Sequence, residues 1–304
     1  MKNRPPERPL GGKRTTVAPQ ILSSAEIGRL ASKAALLEAT ASPKPGLVCP
    51  DNRGAHTDME YADFVASAKA LEPYFCACAD MGLEKPSPDA MLELLRPHAI
   101  KAEQAMLAAT GGVNTHKGII FSLGLICAAQ GSLAAYPVED SMTSARLLAS
   151  TAAGYVQGIV ARELAPLRSS PPARKLTAGE RFYLEHQVTG IRGEAEQGFP
   201  LALGAFDLLL RELPRLGLEL ALPHVLLHLM AENTDTNLLN RGGWDGLRFV
   251  QKQAAAILQQ GGMGTGEGRV AMLRLCNACT KRRLSPGGSA DLLALAIFFH
   301  LALP

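Results

Sequence analysis

The spacing of the apolar residues is the feature that most limits how this chain can fold. They recur every three or four positions, the repeat of one helix face, as in Ile27, Leu30, Ala34 and Leu37. The two-residue alternation of a half-buried strand is nowhere sustained, and no Asn-Gly or Asp-Gly turn joins two β-branched runs. The pattern therefore predicts an all-α protein.

Signals for helix starts divide this pattern into separate helices. Residues 23–26, 57–60 and 177–180 fit the capping box, in which a hydroxyl side chain and an acid three positions later satisfy each other's backbone donors. Residues 1–20 are basic and rich in Pro and Gly, and we predict a disordered tail there. Residues 21–304 are predicted to form one helical, bundle-like catalytic domain whose glycine-rich interhelical loops build the site.

The composition limits the classes of function. Hydrophobic residues make up 47% of the chain, enough for a large buried core. The formal net charge is +3 without a block of like charges, which suits small anions and argues against a nucleic-acid partner. The most apolar stretch, residues 292–303, is too short to span a bilayer, so no membrane association is predicted.

Cysteine usage and the N-terminal residues indicate a cytoplasmic protein. The 6 cysteines are scattered, and residues 1–20 lack the apolar core of a secretory signal. The pair Cys276 and Cys279 has no second Cys/His pair at zinc-ligand spacing, so we interpret these cysteines as free thiols. His224 and His228 are four positions apart, but no Glu lies between them in the metalloprotease order, so we interpret them as structural.

Four polar, glycine-rich clusters interrupt the apolar helices, at residues 42–59, 110–118, 190–200 and 235–243. Each combines glycine with a cation and with hydrogen-bonding side chains. Glycine lets backbone N–H groups approach an anion, and a helix N-terminus adds a favourable dipole. The second cluster does not fit a Walker-type phosphate loop, because its spacing is wrong and no strand precedes it. Their recurrence predicts one cleft for a phosphate-bearing ligand.

The same clusters resemble the triphosphoribosyl-dephospho-CoA synthases, a family that serves citrate lyase and malonate decarboxylase. The residues around Lys44 and His116 are more similar to those of the citrate lyase branch than to those of the malonate decarboxylase branch. One departure is Cys49-Pro50, where the family pattern has an acid, so a shifted role for Asp51 stays open. The matching segments are Ser42-Pro-Lys-Pro-Gly-Leu-Val48, Gly54-Ala-His-Thr-Asp-Met59, Thr110-Gly-Gly-Val-Asn-Thr-His-Lys-Gly118, Phe121-Ser-Leu-Gly-Leu125, Arg192-Gly-Glu-Ala-Glu196, Asp235-Thr-Asn237, Arg241-Gly-Gly243 and Leu284-Ser-Pro-Gly-Gly-Ser-Ala-Asp-Leu292.

The resemblance implies a pentosyltransferase with two substrates, ATP and 3′-dephospho-CoA. The 2′-hydroxyl of dephospho-CoA attacks the anomeric carbon of the ATP ribose, and adenine leaves while the triphosphate stays attached. The product, 2′-(5″-triphosphoribosyl)-3′-dephospho-CoA, is the precursor of the citrate lyase prosthetic group. It then passes to a holo-acyl-carrier-protein synthase. Mg²⁺ is expected to accompany ATP, because this hard cation binds phosphate and carboxylate oxygens.

The chemistry of the side chains suggests which residues have catalytic, metal-binding and substrate-binding roles. Glu194 and Glu196 are acid/base candidates, but on a helix two such neighbours point about 200° apart, so both reach one site only from a loop. Asp291 is either a helix cap or an inward-facing carboxylate, and its role stays open. The remaining candidates are His116 for catalysis, Asp235 with Glu194 for the metal, Lys44, Lys117, Arg192 and Arg241 for phosphate, and His56, Asn114 and Asn237 for other substrate contacts.

Three alternatives stay open from the sequence. The same reaction could serve malonate decarboxylase. A helical nucleotide or ADP-ribosyl hydrolase would use similar acid-and-glycine clusters, and it would release ribose triphosphate without dephospho-CoA. A non-catalytic helical adaptor would explain the apolar core but not the four clusters, and it would bind no nucleotide.

Overall fold

The computed structural model describes residues 22–136, 140–169 and 173–304, so the predicted tail lies outside the described residues. Within these ranges the chain forms 11 α-helices and no strand, apart from one isolated bridge between Cys49 and Asn52. The all-α prediction is confirmed. The helices are α1 (Ser24–Thr40), α2 (Tyr61–Leu83), α3 (Pro88–Ala109), α4 (Lys117–Ser132), α5 (Ser141–Tyr155), α6 (Ala178–His186), α7 (Gly190–Glu196), α8 (Pro200–Glu232), α9 (Thr236–Gln259), α10 (Gly266–Arg282) and α11 (Gly287–Ala302).

The capping boxes predicted at α1 and α6 are present, whereas α2 has a different capping box, formed by Glu60 and Asp63. The Ser23 and Glu26 pair opens α1, and the Thr177 and Glu180 pair opens α6. The prediction for residues 57–60 is wrong, because α2 begins one residue after Glu60. There the Asp63 carboxylate accepts the Glu60 backbone N–H at 2.8 Å, so the acid that closes the box lies further along the chain.

The core forms where nearly apolar helices are surrounded by amphipathic ones. Residues 292–299 of α11 are all buried, and α11 packs against α8 and α1. On the other side, α2 packs against α1 and α4. Within the described ranges, no helix combines the length and the apolar character that crossing a membrane requires.

Glycine residues bend the two longest helices. Gly217 in α8 has φ 68°, and Gly243 in α9 has φ 59°. Both values lie in the left-handed region, which costs an L-residue about 1–2 kcal/mol but costs glycine nothing. The break at Gly243 separates the first turns of α9, with Asn237 and Arg241, from its long amphipathic part, so the two parts of α9 run in different directions.

Candidate functional site

A cavity of about 940 Å³ lies between the N-termini of α4, α9 and α11. Segments of all four glycine-rich clusters line it, although they are far apart in the sequence. The first turns of α11 form a further part of the wall. The structure therefore brings the four clusters together at one cavity. Of the predicted site residues, the wall contains Lys44, His56, Asn114, His116, Lys117, Glu194, Asn237 and Arg241.

Three helix N-termini contribute partial positive charge to the wall of this cavity. Each of α4, α9 and α11 starts in its wall, and these helices have 16, 24 and 16 residues. The first turn of a helix carries backbone N–H groups without helical partners and about half a positive charge. Lys44, Lys117 and Arg241 add cationic side chains to the same wall. This arrangement suits a polyanionic ligand such as a phosphate chain.

Lys44 is held by a buried ion pair with Glu38 of α1. Its Nζ donates to the Glu38 backbone oxygen and to Glu38 Oε1, both at 2.8 Å, and the two side chains are only 1% and 3% exposed. The loop that follows α1 can turn back because Gly46 has φ 70°, and a Cβ there would lie 1.9 Å from the backbone oxygen of Leu284. An ammonium group has three N–H donors, so the pair with Glu38 leaves one for a ligand.

His116 precedes α4 and is almost completely buried in the cavity wall. Its Nδ1 is hydrogen-bonded to Ser67 Oγ at 2.7 Å, and the ring of Phe64 packs edge-on against the imidazole. Burial, followed by the nearby Lys44 charge, lowers the pKa of His116 to about 3. The imidazole is therefore neutral at pH 7. Its Nε2 is buried and has no hydrogen-bond partner among the described residues.

His56 and Arg241 lie together on another part of the wall. The Arg241 guanidinium donates from Nη2 to His56 Nδ1 at 3.1 Å, so the neutral ring must carry its proton on Nε2, which is 2.9 Å from Ser285 Oγ. Burial, followed by the Arg241 charge, lowers the pKa of His56 to about 4, while Asp58 acts in the opposite direction. Arg241 also contacts two backbone carbonyls, which fixes the position of its charge.

Glu194 lines the cavity and Glu196 does not. The segment that carries them is the helix α7, so their side chains point about 200° apart and the prediction that both reach one site is corrected. Glu194 Oε1 accepts the N–H groups of Leu201 and Ala202 at 2.7 and 3.4 Å and so caps α8. Burial raises the pKa of Glu194, and these two hydrogen bonds counteract the rise.

Asp235 is a helix cap behind the cavity wall. Its Oδ1 accepts the N–H groups of Asn237 and Leu238 in the first turn of α9, at 2.9 and 3.2 Å. Its Oδ2 accepts the N–H and the hydroxyl of Ser289 in α11, at 2.8 and 2.9 Å. With 1% exposure and four donors on its two oxygens, Asp235 does not fit the metal-ligand position that the sequence suggested.

Arg192 also lies outside the cavity wall. Its Nε donates to Glu163 Oε2 at 3.0 Å, beside an ion pair between Glu163 and Arg96. The placement of Arg192 in the site is therefore corrected, because its guanidinium is turned toward another part of the surface. By contrast, Asn114 and Lys117 remain in the wall, where Asn114 Oδ1 accepts the Lys117 backbone N–H at 3.2 Å.

Sequence reasoning did not select Glu38, Asp291 or Trp244, which line the cavity. Glu38 lies on the buried face of α1, where a lone acid among apolar residues was the available signal. For Asp291 the sequence allows both a helix cap and an inward-facing carboxylate. Trp244 is the only tryptophan of the chain, and its ring is in contact with the imidazole of His186, with centroids 5.4 Å apart. Because the single tryptophan lies in the wall, ligand binding in the cavity can be followed by intrinsic fluorescence.

Comparison with known proteins gives one consistent family. Residues 24–303 match the family described as CitG: ATP:dephospho-CoA triphosphoribosyl transferase. The chain is 44% identical over 289 residues to a candidate 2-(5''-triphosphoribosyl)-3'-dephosphocoenzyme-A synthase of Vibrio cholerae serotype O1, covering 93% of this chain and 88% of that protein. It is 41% identical over 299 residues to the 2-(5''-triphosphoribosyl)-3'-dephosphocoenzyme-A synthase of Haemophilus ducreyi, covering 93% and 90%.

A solved structure from Archaeoglobus fulgidus, described as a candidate triphosphoribosyl-dephospho-CoA synthase, aligns with a TM-score of 0.49 and 16% identity. That alignment covers 78% of this chain and 98% of the other. The match to the family extends through every described helix and all four clusters of the cavity wall. The chain belongs to the ATP:dephospho-CoA triphosphoribosyl transferase family.

Proposed function

We propose that this chain transfers the triphosphoribosyl group of ATP to the 2′-hydroxyl of 3′-dephospho-CoA, with release of adenine. The observation that carries the proposal is the cavity itself, where three helix N-termini and the cations Lys44, Lys117 and Arg241 converge. Such a wall neutralises a triphosphate with fixed dipoles and charges. The family and the relatives that match over 93% of the chain name the same chemistry.

The two neutral histidines are suited to binding the uncharged parts of the substrates. His116 offers an unpartnered Nε2 in the cavity wall, and His56 is fixed in one tautomer by Arg241. Because both have pKa values far below 7, they act as hydrogen-bonding groups at neutral pH and not as cations. We assign to them, with Asn114 and Asn237, the orientation of ribose and base.

Mg²⁺ bound to the triphosphate is part of the proposal. It would neutralise phosphate charge when bound. The described residues contain no group of three His, Cys, Asp or Glu side chains that could hold a metal, but Mg²⁺ commonly uses one or two carboxylates with waters and phosphates. Glu194 fits this requirement, since it lines the cavity and, in the part of the chain that the structure describes, only its Oε1 accepts hydrogen bonds.

The pathway and the location are further parts of the proposal. The residues of the segment around Lys44 favour the citrate lyase branch over the malonate decarboxylase branch. The free thiols favour a location in the cytoplasm. The product would then be handed to a holo-acyl-carrier-protein synthase. Loading the product onto the acyl carrier subunit of each enzyme, with the matching synthase present, would distinguish the two branches.

The test uses the full chain, ATP, Mg²⁺ and 3′-dephospho-CoA, with free adenine measured by chromatography. Adenine release that requires dephospho-CoA, with a product of the combined mass, supports transfer. Adenine and ribose triphosphate formed without dephospho-CoA would instead show a hydrolase. Quenching of Trp244 fluorescence by ATP reports binding separately, and the absence of both quenching and turnover would favour an adaptor.

A further inference from the structure

Departure of adenine needs a proton donor, and this requirement rests on the proposed function. Adenine is a poor leaving group unless a ring nitrogen is protonated as the C1′–N9 bond breaks. Most acids in the described cavity wall have other partners or face solvent. Glu38 pairs with Lys44, Glu194 caps α8, and Asp58 and Glu232 are exposed. The remaining acid is Asp291.

The structure places Asp291 in the cavity wall, in the second turn of α11, where the residue is partly buried. Its carboxylate lies against Gly118 in the first turn of α4, where a Cβ would come within 1.9 Å of Asp291 Oδ2. Only glycine at that position lets the carboxylate occupy this space, so the approach of α4 and α11 fixes where the acid lies. Its neighbours Ala290 and Leu292 are buried, which anchors the backbone of Asp291.

We propose that Asp291 is the general acid that protonates adenine as it leaves the ribose. In this step the C1′–N9 bond breaks and its electron pair remains on adenine. The Asp291 carboxyl proton moves to a ring nitrogen of the base. The 2′-oxygen of dephospho-CoA forms the new bond to C1′, and the hydroxyl proton passes to water. Solvent then reprotonates Asp291, so protons and electrons balance over the cycle.

The surroundings of Asp291 favour its protonated form. Burial raises the pKa of Asp291 well above its usual range, and the negative charges of Glu38 and Asp235 raise it further. Other charged groups near the wall do not reverse this direction, because Lys117 is paired with Glu103, His116 is neutral, and Glu232 is exposed. A raised pKa favours the protonated carboxyl, which is the form a general acid needs.

The first experiment compares Asp291→Asn with the unmodified chain in single turnovers. The amide keeps the size of the acid but has no proton to transfer, so adenine release should fall by roughly 10²- to 10⁴-fold. Binding of ATP, measured through Trp244 fluorescence, should change by less than about threefold. The matched control is Asp207→Asn on the exposed face of α8, paired there with Arg211, which should leave the rate unchanged.

A second substrate distinguishes a general-acid role of Asp291 from a purely structural role. With a 4-nitrophenyl riboside 5-triphosphate, the leaving group needs no proton, so Asp291→Asn should react within about fivefold of the unmodified chain. Gly118→Ala, which displaces the carboxylate, should show the same selective defect. The adenine reaction of the unmodified chain should decline as pH rises through the Asp291 pKa, and Asp291→Asn should lack this decline.

The outcomes keep the two proposals apart. If the unmodified chain releases no adenine with both substrates present, the proposed function fails. If it does, and Asp291→Asn releases adenine within about threefold of it, the general-acid assignment is overturned. Equal losses on adenine and 4-nitrophenyl substrates would also overturn it, because they would indicate a structural role.

Discussion

The carboxylate of Asp235 accepts two hydrogen bonds from Ser289, one from the backbone N–H at 2.8 Å and one from the hydroxyl at 2.9 Å. Ser289 belongs to the first turn of α11, and the other oxygen of Asp235 caps the first turn of α9. One side chain therefore fixes two of the helix N-termini that form the cavity wall. The distance between the N-termini of α9 and α11 depends on this contact.

Replacement of this carboxylate should reduce stability. Asp235→Asn leaves one oxygen for the donors of two helices, so at least one buried N–H loses its acceptor, at a cost of about 1–3 kcal/mol. Urea unfolding measures this loss, and the Mg²⁺ dependence of the rate should not change. Asp140→Asn, which alters an exposed cap of α5, is the control and should cost less. Unchanged stability with altered Mg²⁺ dependence would restore the metal role.

The Lys44 and Glu38 pair predicts a non-additive double-mutant cycle. Lys44→Met leaves the Glu38 charge buried and unpaired and should cost about 3–5 kcal/mol of unfolding free energy. The double variant with Glu38→Gln should recover most of that loss, because no unpaired charge remains. Its adenine release should nevertheless stay low, since the cation that faces the cavity is gone. Recovery of both stability and activity would contradict a role of Lys44 in binding phosphate.

The lowered pKa of His116 predicts that the folded protein loses stability in acid. The unfolded chain binds a proton near pH 6.5, whereas the folded chain keeps His116 neutral down to about 3. The stability that depends on neutral His116 is therefore fully present above pH 6.5 and is lost progressively as pH falls toward 3. Urea midpoints across this range should fall less steeply in His116→Gln. The control His98→Gln, on an exposed part of α3, should keep the original slope.

Two arginines that looked equivalent in the sequence should behave differently. Arg241 lies in the cavity wall and Arg192 pairs with Glu163 outside it. Arg241→Gln should raise the KM for ATP roughly tenfold or more, the effect of losing a charge-assisted hydrogen bond. Arg192→Gln should leave the KM within about threefold. Steady-state kinetics with dephospho-CoA held constant measures both values, and a larger effect for Arg192 would reject the placement seen in the structure.

The sequence predicted the helices because they depend on local patterns of spacing and capping. It also predicted which loops meet, since glycine, cations and amides at helix ends are signs of an anion site. It could not predict the direction of individual side chains. Arg192 has its partner 29 positions earlier, and no local pattern reveals that contact.

Asp235 shows the same limit. An acid before a helix is suited both to binding Mg²⁺ and to capping the helix. Only the contact with Ser289, 54 positions away in the sequence, distinguishes these two roles. Glu38 was missed because an isolated acid in an apolar helix has no visible partner in the sequence. The Lys44 ammonium that explains it becomes a neighbour only when the loop after α1 turns back.

The position of α11 also affects how the protein is made. This helix packs on α1 and α8 and supplies Asp291 and the first-turn donors of the cavity wall. During synthesis, a nascent chain that lacks it has neither this part of the wall nor the partner that Asp235 needs. Nucleotide should therefore not bind to, or protect from protease, a ribosome-bound chain before α11 has emerged from the exit tunnel, and binding should begin abruptly once it has.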